Sequence, residues 1–188
     1  MKPFFRFSLA IAIAVFCLTS CSKDESTEKT AQPNSPVLQV TLPEMISQYN
    51  AAMTNYSQKL LLPSSASFTK TTFPHNRFYD LKYSARRNMN VEIEIDSATN
   101  FPISIGSTVA GYSADDLKDF FAQTMAIGHA VFKDTKETRM LFDMCGEMLS
   151  QKLPMRIAIQ GNYMFSCVRE DNILSARIGI HDPSTFKK

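Results

Sequence analysis

The stretch from Asn88 to Asp96 (NMNVEIEID) alternates strictly between apolar and polar side chains. Successive side chains of a strand point to opposite faces, so this pattern predicts a strand with one buried face and one solvated face. A strand of this kind needs hydrogen-bonded neighbours and a second layer over its apolar side. The stretch therefore predicts a sheet that is covered on one face.

The residues on either side predict two neighbouring strands. Residues 79–83 (YDLKY) alternate in the same way, and a hairpin turn at residues 86–88 would place Tyr83 opposite Val91 and Leu81 opposite Ile93. This register pairs Lys82 with Glu92, which is favourable, but it also sets Asp80 opposite Glu94, which is not. After the turn at residues 97–100 (SATN), a third strand is expected with Ile103 and Ile105 facing the core.

Three segments have helical periodicity and capping signals. The first begins at Thr41, where Thr41 and Glu44 form a capping-box pattern, and it is expected to continue to Leu62, before Pro63. Ser113 with Asp116 caps the second, and Asp134 with Glu137 caps the third, which is expected to end near Gln151.

The remaining residues predict a strand meander. Residues 155–160 and 163–169 flank Gly161-Asn162, a typical two-residue hairpin turn, and residues 174–180 form the last strand. The predicted order is α-βββ-αα-βββ. Runs of strands with short connections favour antiparallel pairing, so we expect one α+β domain with about three helices on one face of an antiparallel sheet.

The N-terminus carries the signals of a secreted precursor. Lys2 and Arg6 precede an apolar core, Leu9 to Leu18, that would rise only ~15 Å as a helix and is too short to span a membrane. It ends in Leu18-Thr19-Ser20-Cys21, which resembles the lipobox of bacterial lipoprotein precursors. The resemblance implies a signal peptide at residues 1–20 and acylation (palmitate among the chains) of Cys21. The alternative is an ordinary secretory signal with an incidental cysteine.

The lipoprotein resemblance also implies a location and a tether. Ser22 after the lipid-bearing cysteine implies sorting to the outer membrane, with the domain facing the periplasm. Residues 22–36 contain no large apolar side chain, so residues 21–36 are expected to be a lipidated cysteine and a flexible tether of ~20 Å. Residues 37–188 are then the globular domain.

Cleavage of the signal peptide would also change the number of cysteines and the net charge of the chain. It removes Cys17 and leaves Cys145 and Cys167 as the two thiols of the domain, which the periplasm would allow to form a disulfide. This bond would link the third helix to a C-terminal strand, and two separate buried thiols are the alternative. Loss of Lys2 and Arg6 leaves 18 basic and 18 acidic residues, a neutral balance that argues against nucleic acid as a partner.

Catalytic and metal motifs are not recognised in the sequence. His75, His129 and His181 are far apart, and Gly111-Tyr112-Ser113 is explained by helix capping rather than by a nucleophile elbow. Met140, Met144 and Met148 recur every four residues beside Cys145, a spacing that fits a core-facing helix stripe better than a Cu(I) site. No cofactor, metal or catalytic residue is therefore predicted.

One segment of the domain is enriched in basic residues. Between Lys70 and Arg87 there is a single acid, Asp80, and a surface patch there could meet lipid phosphates or an acidic partner. Its members are Lys70, Arg77, Lys82, Arg86 and Arg87. The alternative is a solvated sheet face opposite Glu92 and Glu94.

The sequence favours a non-enzymatic lipoprotein that is held at the membrane and binds a protein or envelope component. A toxin-neutralising immunity lipoprotein is one specific form of this hypothesis. The rival hypothesis is an envelope hydrolase whose site assembles from dispersed residues such as His75, His181 and Asp182, which requires at least two of them to lie within hydrogen-bonding reach.

Overall fold

The structure is a computed structural model that describes residues 37–56, 60–64, 67–72, 77–133 and 135–181. The predicted signal peptide, Cys21 and the tether lie outside these residues, as do His75, Asp134 and Asp182. The elements, in chain order, are α1 Leu42–Tyr56, β1 Thr69–Thr72, β2 Phe78–Arg86, β3 Met89–Asp96, β4 Pro102–Ala110, α2 Ala114–Phe132, a 3-10 helix Lys136–Arg139, α3 Met140–Ser150, β5 Met155–Gln160, β6 Tyr163–Glu170 and β7 Ile173–Ile180.

The strands form one antiparallel sheet in the order β1-β2-β3-β4-β7-β6-β5. The predicted α+β class is confirmed, with one addition. Strand β1 (TKTT) is not predicted by the sequence pattern, because its four residues are all exposed and show no apolar alternation. This polar strand forms one edge of the sheet, and β5 forms the other.

The register predicted for the central hairpin is confirmed. Tyr83 lies opposite Val91, Leu81 opposite Ile93 and Lys82 opposite Glu92, and the unfavourable pair Asp80 and Glu94 is also present. Arg177 of β7 lies beside this pair, with its Nη1 3.7 Å from Glu94 Oε2, and this opposite charge offsets the repulsion.

The core lies between one face of the sheet and the helices. Every second residue of the central strands points into it, and Ile105 is fully buried as predicted, whereas Ile103 is only partly buried because the β3–β4 register shifts beside it. The largest fully buried side chains include Tyr49 of α1, Phe120 of α2 and Phe165 of β6.

The helix starts agree with the capping predictions in both cases that the described residues test. Thr41 with Glu44 and Ser113 with Asp116 exchange the expected hydrogen bonds. The third prediction, Asp134 with Glu137, involves Asp134, which lies outside the described residues. The described part of this segment opens as a 3-10 turn in which the Thr135 amide donates to Thr138 Oγ1.

The end of the first helix was predicted wrongly. Helix α1 ends at Tyr56 and not at Leu62. The Asn50 side chain binds the backbone of Leu62 at two points, donating to its carbonyl oxygen at 2.8 Å and accepting from its amide at 2.7 Å. These bonds hold residue 62 beside the middle of α1, which a continuous helix could not do.

Candidate functional site

The centre of the sheet face opposite the helices is polar, and its charges are paired with one another. Lys82 Nζ lies 3.0 Å from Glu92 Oε1, and Arg177 Nη2 lies 3.3 Å from Glu92 Oε2. Arg177 also donates to Ser104 Oγ. This network joins β2, β3, β4 and β7 across the solvated face, so its charges already have partners.

The same face changes character at strand β5. Met155, Ile157 and Ile159 expose 52%, 51% and 54% of their surface, although each is a large apolar residue. Arg156, Ala158 and Gln160, which alternate with them, lie on the helix side and are only partly exposed. The strand therefore presents its large apolar side chains to solvent and its two polar side chains, Arg156 and Gln160, to the helices.

Two contacts explain this orientation. The Gly161-Asn162 turn pairs Gln160 with Tyr163, and the same register sets Arg156 opposite Cys167. Cys167 is disulfide-bonded to Cys145 of α3, so it must point towards the helices. Because directly opposite residues share a face of the sheet, Arg156 points the same way and Ile157 points outward.

The backbone of β5 is open on one side. The Arg169 amide donates to the Pro154 carbonyl at 2.7 Å, which begins a ladder whose hydrogen-bonded pairs recur at every second residue. The amides and carbonyls of Met155, Ile157 and Ile159 consequently point away from β6. No strand of the described residues lies beyond β5.

The exposed apolar surface continues onto the neighbouring strand. Met164 lies opposite Ile159 and Val168 lies opposite Met155, both on the outer face and partly exposed. We call the surface formed by Met155, Ile157, Ile159, Met164 and Val168 the apolar edge. It combines apolar side chains with backbone groups that no described strand pairs, the two features that recognise an added β-strand.

The helix side of β5 is held by polar contacts. Arg156 forms an ion pair with Glu147 of α3, and Gln160 Nε2 donates to Glu137 Oε1 at 2.9 Å. Hydrogen bonds hold the pKa of Glu137 below its ordinary value, and the largest contribution comes from the Thr135 side chain. An open groove of about 490 Å³ lies here, lined by residues of the 3-10 helix, α3 and β5.

The disulfide predicted between Cys145 and Cys167 is confirmed, with the two Cα atoms 5.5 Å apart. It links α3 to β6, as the predicted helix-to-strand pairing requires. Met144 and Met148 are buried beside it on α3, and Met140 packs against the core. The methionine stripe is therefore part of the core, and among the described residues no group of three potential His, Cys, Asp or Glu metal ligands occurs.

The five basic residues predicted as a patch are distributed over both faces of the sheet. Lys82 lies on the outer face, whereas Lys70 stacks over the Tyr79 ring at 3.8 Å and Arg86 pairs with Asp116 and Asp119 of α2, both on the helix side. The other two are Arg77, paired with the buried Asp96, and Arg87, exposed in the hairpin turn. Four of the five thus have an acidic or aromatic neighbour, and their role in binding stays a prediction.

Of the three residues named in the hydrolase hypothesis, His181 alone lies among the described residues. His75 and Asp182 lie outside the described residues, and His181 follows β7, where its amide donates to the Asn162 carbonyl at 2.8 Å. His129 lies on α2, in its last turn. The hydrolase hypothesis therefore stays untested.

The apolar edge is not marked as a site by any motif in the sequence. The strand at residues 155–160 was predicted, but its two faces were not assigned. No protein-family model, curated protein or solved structure matches the chain. None of the helices in the described part of the chain is long and apolar enough to cross a membrane.

Proposed function

We propose that this protein is a lipid-anchored, non-enzymatic lipoprotein of the cell envelope whose domain binds a protein partner by strand addition to the apolar edge. The observation that carries the binding role is the outward face of β5, where Met155, Ile157 and Ile159 are each half exposed on a strand that no other described strand covers at its outer edge. The outer membrane, on its periplasmic side, is the proposed location.

The sequence supports the anchor. The lipobox Leu18-Thr19-Ser20-Cys21 follows a charged n-region and an apolar core in the required order. Two or more acyl chains on Cys21 would hold the protein at the membrane essentially permanently, because each buried methylene contributes about 0.8 kcal/mol. The tether would then keep the apolar edge within tens of ångströms of the membrane surface.

Comparison of the two edges of the sheet supports strand addition. Edge strand β1 is polar and carries Lys70, a composition that discourages pairing with other chains. Edge strand β5 lacks this protection on its outer face, where apolar side chains stand at every second residue. A partner strand would gain main-chain hydrogen bonds from β5 and would cover these side chains.

Site-specific photo-crosslinking of the full chain in cells tests the binding role. A photoreactive amino acid at Ile157 should give a discrete adduct, whereas the same probe at Ile173 should not. Ile173 is the matched control because it is also an isoleucine on the outer face, 45% exposed, but it lies on β7, two strands in from the open backbone of β5. Equal labelling from both positions, or none from Ile157, would contradict the binding role.

The anchor has a separate test. Cys21→Ala should leave the precursor uncleaved or release the protein from the membrane fraction, because the lipobox then has no thiol at the position that is acylated. If this variant still fractionates as a processed, lipid-modified species, the lipoprotein assignment is wrong.

A further inference from the structure

We infer that the strand that pairs with the apolar edge is β5 of a second copy of this chain. This inference rests on the proposed function and names the partner of the same site. The two β5 strands would pair antiparallel about a two-fold axis, and the two seven-stranded sheets would become one continuous sheet.

The ladder geometry selects the register of this pairing. Only Met155, Ile157 and Ile159 direct both backbone groups to the open edge, so hydrogen-bonded pairs across the axis must join these residues to one another. Placing Ile157 opposite Ile157 of the second copy sets Met155 opposite Ile159 on both sides of the axis. All three residues then pair in each copy, which no other allowed register achieves.

Charge favours the same register. With Ile157 on the axis, Arg156 lies opposite Ala158 of the second copy, and its charge stays paired with Glu147 of its own chain. The neighbouring register, which joins Met155 to Ile157, would set the two Arg156 side chains directly opposite each other. Like charges in that position are destabilising.

The side chains on the outer face are also self-complementary. In the proposed register the six apolar side chains from the two strands form one cluster, extended on each side by Met164 and Val168. Side chains that are now half exposed would be covered on both copies by residues of the same character. The polar outer-face network around Arg177 lies on β7 and the strands beyond it, so it is left outside this contact.

The size of the contact predicts a concentration-dependent dimer. Pairing two six-residue strands over this surface buries on the order of 1,000 Å² in total, which is near the lower limit for specific interfaces. Confinement of both copies to one membrane by the proposed anchor raises their effective concentration. We therefore expect the protein to be dimeric in the membrane. After extraction, the same amount of protein should be partly monomeric.

Cysteine crosslinking of the full chain in membranes tests the register. Opposite Cα atoms of a hydrogen-bonded antiparallel pair are about 5.5 Å apart, within the range that a disulfide spans. Ile157→Cys should therefore form a covalent dimer under mild oxidation, detected as a species of doubled mass on a non-reducing gel. Met155→Cys alone should not, but Met155→Cys co-expressed with Ile159→Cys should.

Ile173 is exposed to a similar extent, so Ile173→Cys is the control for random collision and should stay monomeric. A monomeric Ile157→Cys, or a Met155→Cys that links to itself, would overturn the inferred pairing. If Ile157→Cys instead links to a different protein, the second-copy partner is wrong while the proposed function stands. If the photoreactive probe at Ile157 gives no adduct at all, the proposed function fails with it.

A second measurement does not depend on introduced thiols. Sedimentation of the detergent-solubilised full chain should show a monomer–dimer equilibrium, and Ile157→Lys should weaken dimerisation by about tenfold or more, since it places two charges on the axis. Ile173→Lys should leave the equilibrium unchanged. An unchanged equilibrium in Ile157→Lys, or a wild-type protein that is monomeric at every concentration, would contradict the inference.

Discussion

Arg156 lies directly opposite Cys167 in the β5–β6 ladder, on the side of the sheet that faces helix α3. The disulfide from Cys167 to Cys145 holds this side of β6 against the helix, and the Arg156–Glu147 ion pair does the same for β5. Because the side chains of a strand alternate, these two contacts together direct Ile157 to solvent. The apolar side chains of β5 thus face solvent because the opposite face of this strand is attached to helix α3.

Removal of the disulfide should lower the stability of the domain. The bond joins residues 22 positions apart, and closing a loop of this length contributes about 3 kcal/mol in the chain-entropy account. We expect the double variant Cys145→Ser/Cys167→Ser to lose about that free energy of unfolding in urea titrations.

Reductant provides the control for this prediction. It should destabilise the wild-type protein and leave the double variant unchanged. Denatured wild-type protein should also resist alkylation at Cys145 and Cys167 until it is reduced, and two reactive thiols before reduction would show that the bond is not formed.

Much of the sheet could be predicted from the sequence because its strands alternate over a single buried face. The β2–β3 register followed from matching apolar residues across a short turn, and Tyr83 does lie opposite Val91. Strand β1 could not be found this way, because an exposed edge strand of Thr and Lys has no apolar side to alternate.

The apolar edge was within reach of the sequence, but it required two inferences to be combined. The Gly161-Asn162 turn sets Arg156 opposite Cys167, and the disulfide sets Cys167 towards the helix. Alternation alone would have directed Ile157 inward, because it treats each strand in isolation. The partners of Arg86 on α2 are different: they depend on how a helix packs over a hairpin, and no local pattern encodes that.

The two glycines in helices α2 and α3 should respond oppositely to alanine. A Cβ at Gly128 would clash with the Thr138 carbonyl oxygen, so Gly128→Ala must move the 3-10 turn and should cost about 2 kcal/mol or more. A Cβ at Gly146 meets no atom within 4 Å, so Gly146→Ala should stabilise the protein by about 0.5–1 kcal/mol through helix propensity. Thermal unfolding of both variants measures the two effects, and a stabilised Gly128→Ala would contradict the close packing of α2 on this turn.

Acidification should weaken the attachment of Arg77 to the turn after β3. Burial raises the pKa of Asp96, but hydrogen bonds from Arg77 and from the Ala98 and Thr99 amides outweigh it and hold the pKa below the ordinary value. A lowered pKa in the folded state stabilises the protein above the unfolded-state pKa of about 3.9, and this contribution is lost as the pH falls through the folded-state value. Asp96→Asn should therefore be less stable than the wild type at pH 7.

The control for this prediction is the pH dependence itself. The difference in free energy of unfolding between wild type and Asp96→Asn should shrink as the pH falls below about 4, the unfolded-state range. Other carboxylates with lowered pKa values, such as those of Glu44 and Asp116, titrate equally in both proteins and cancel in the difference. A difference that stays constant from pH 7 to pH 2 would show that the ionised Asp96 does not stabilise the fold.

Polar substitution at the apolar edge should leave the stability of the monomer nearly unchanged. Ile157 is half exposed and threonine also favours strands, so Ile157→Thr should change the free energy of unfolding by less than about 1 kcal/mol. Ile178 of β7 is fully buried on the opposite face, so Ile178→Thr should cost about 2–4 kcal/mol through lost packing and a buried hydroxyl. Urea unfolding at protein concentrations low enough to avoid association compares the two, and a comparable loss in both would mean that Ile157 belongs to the core rather than to a binding surface.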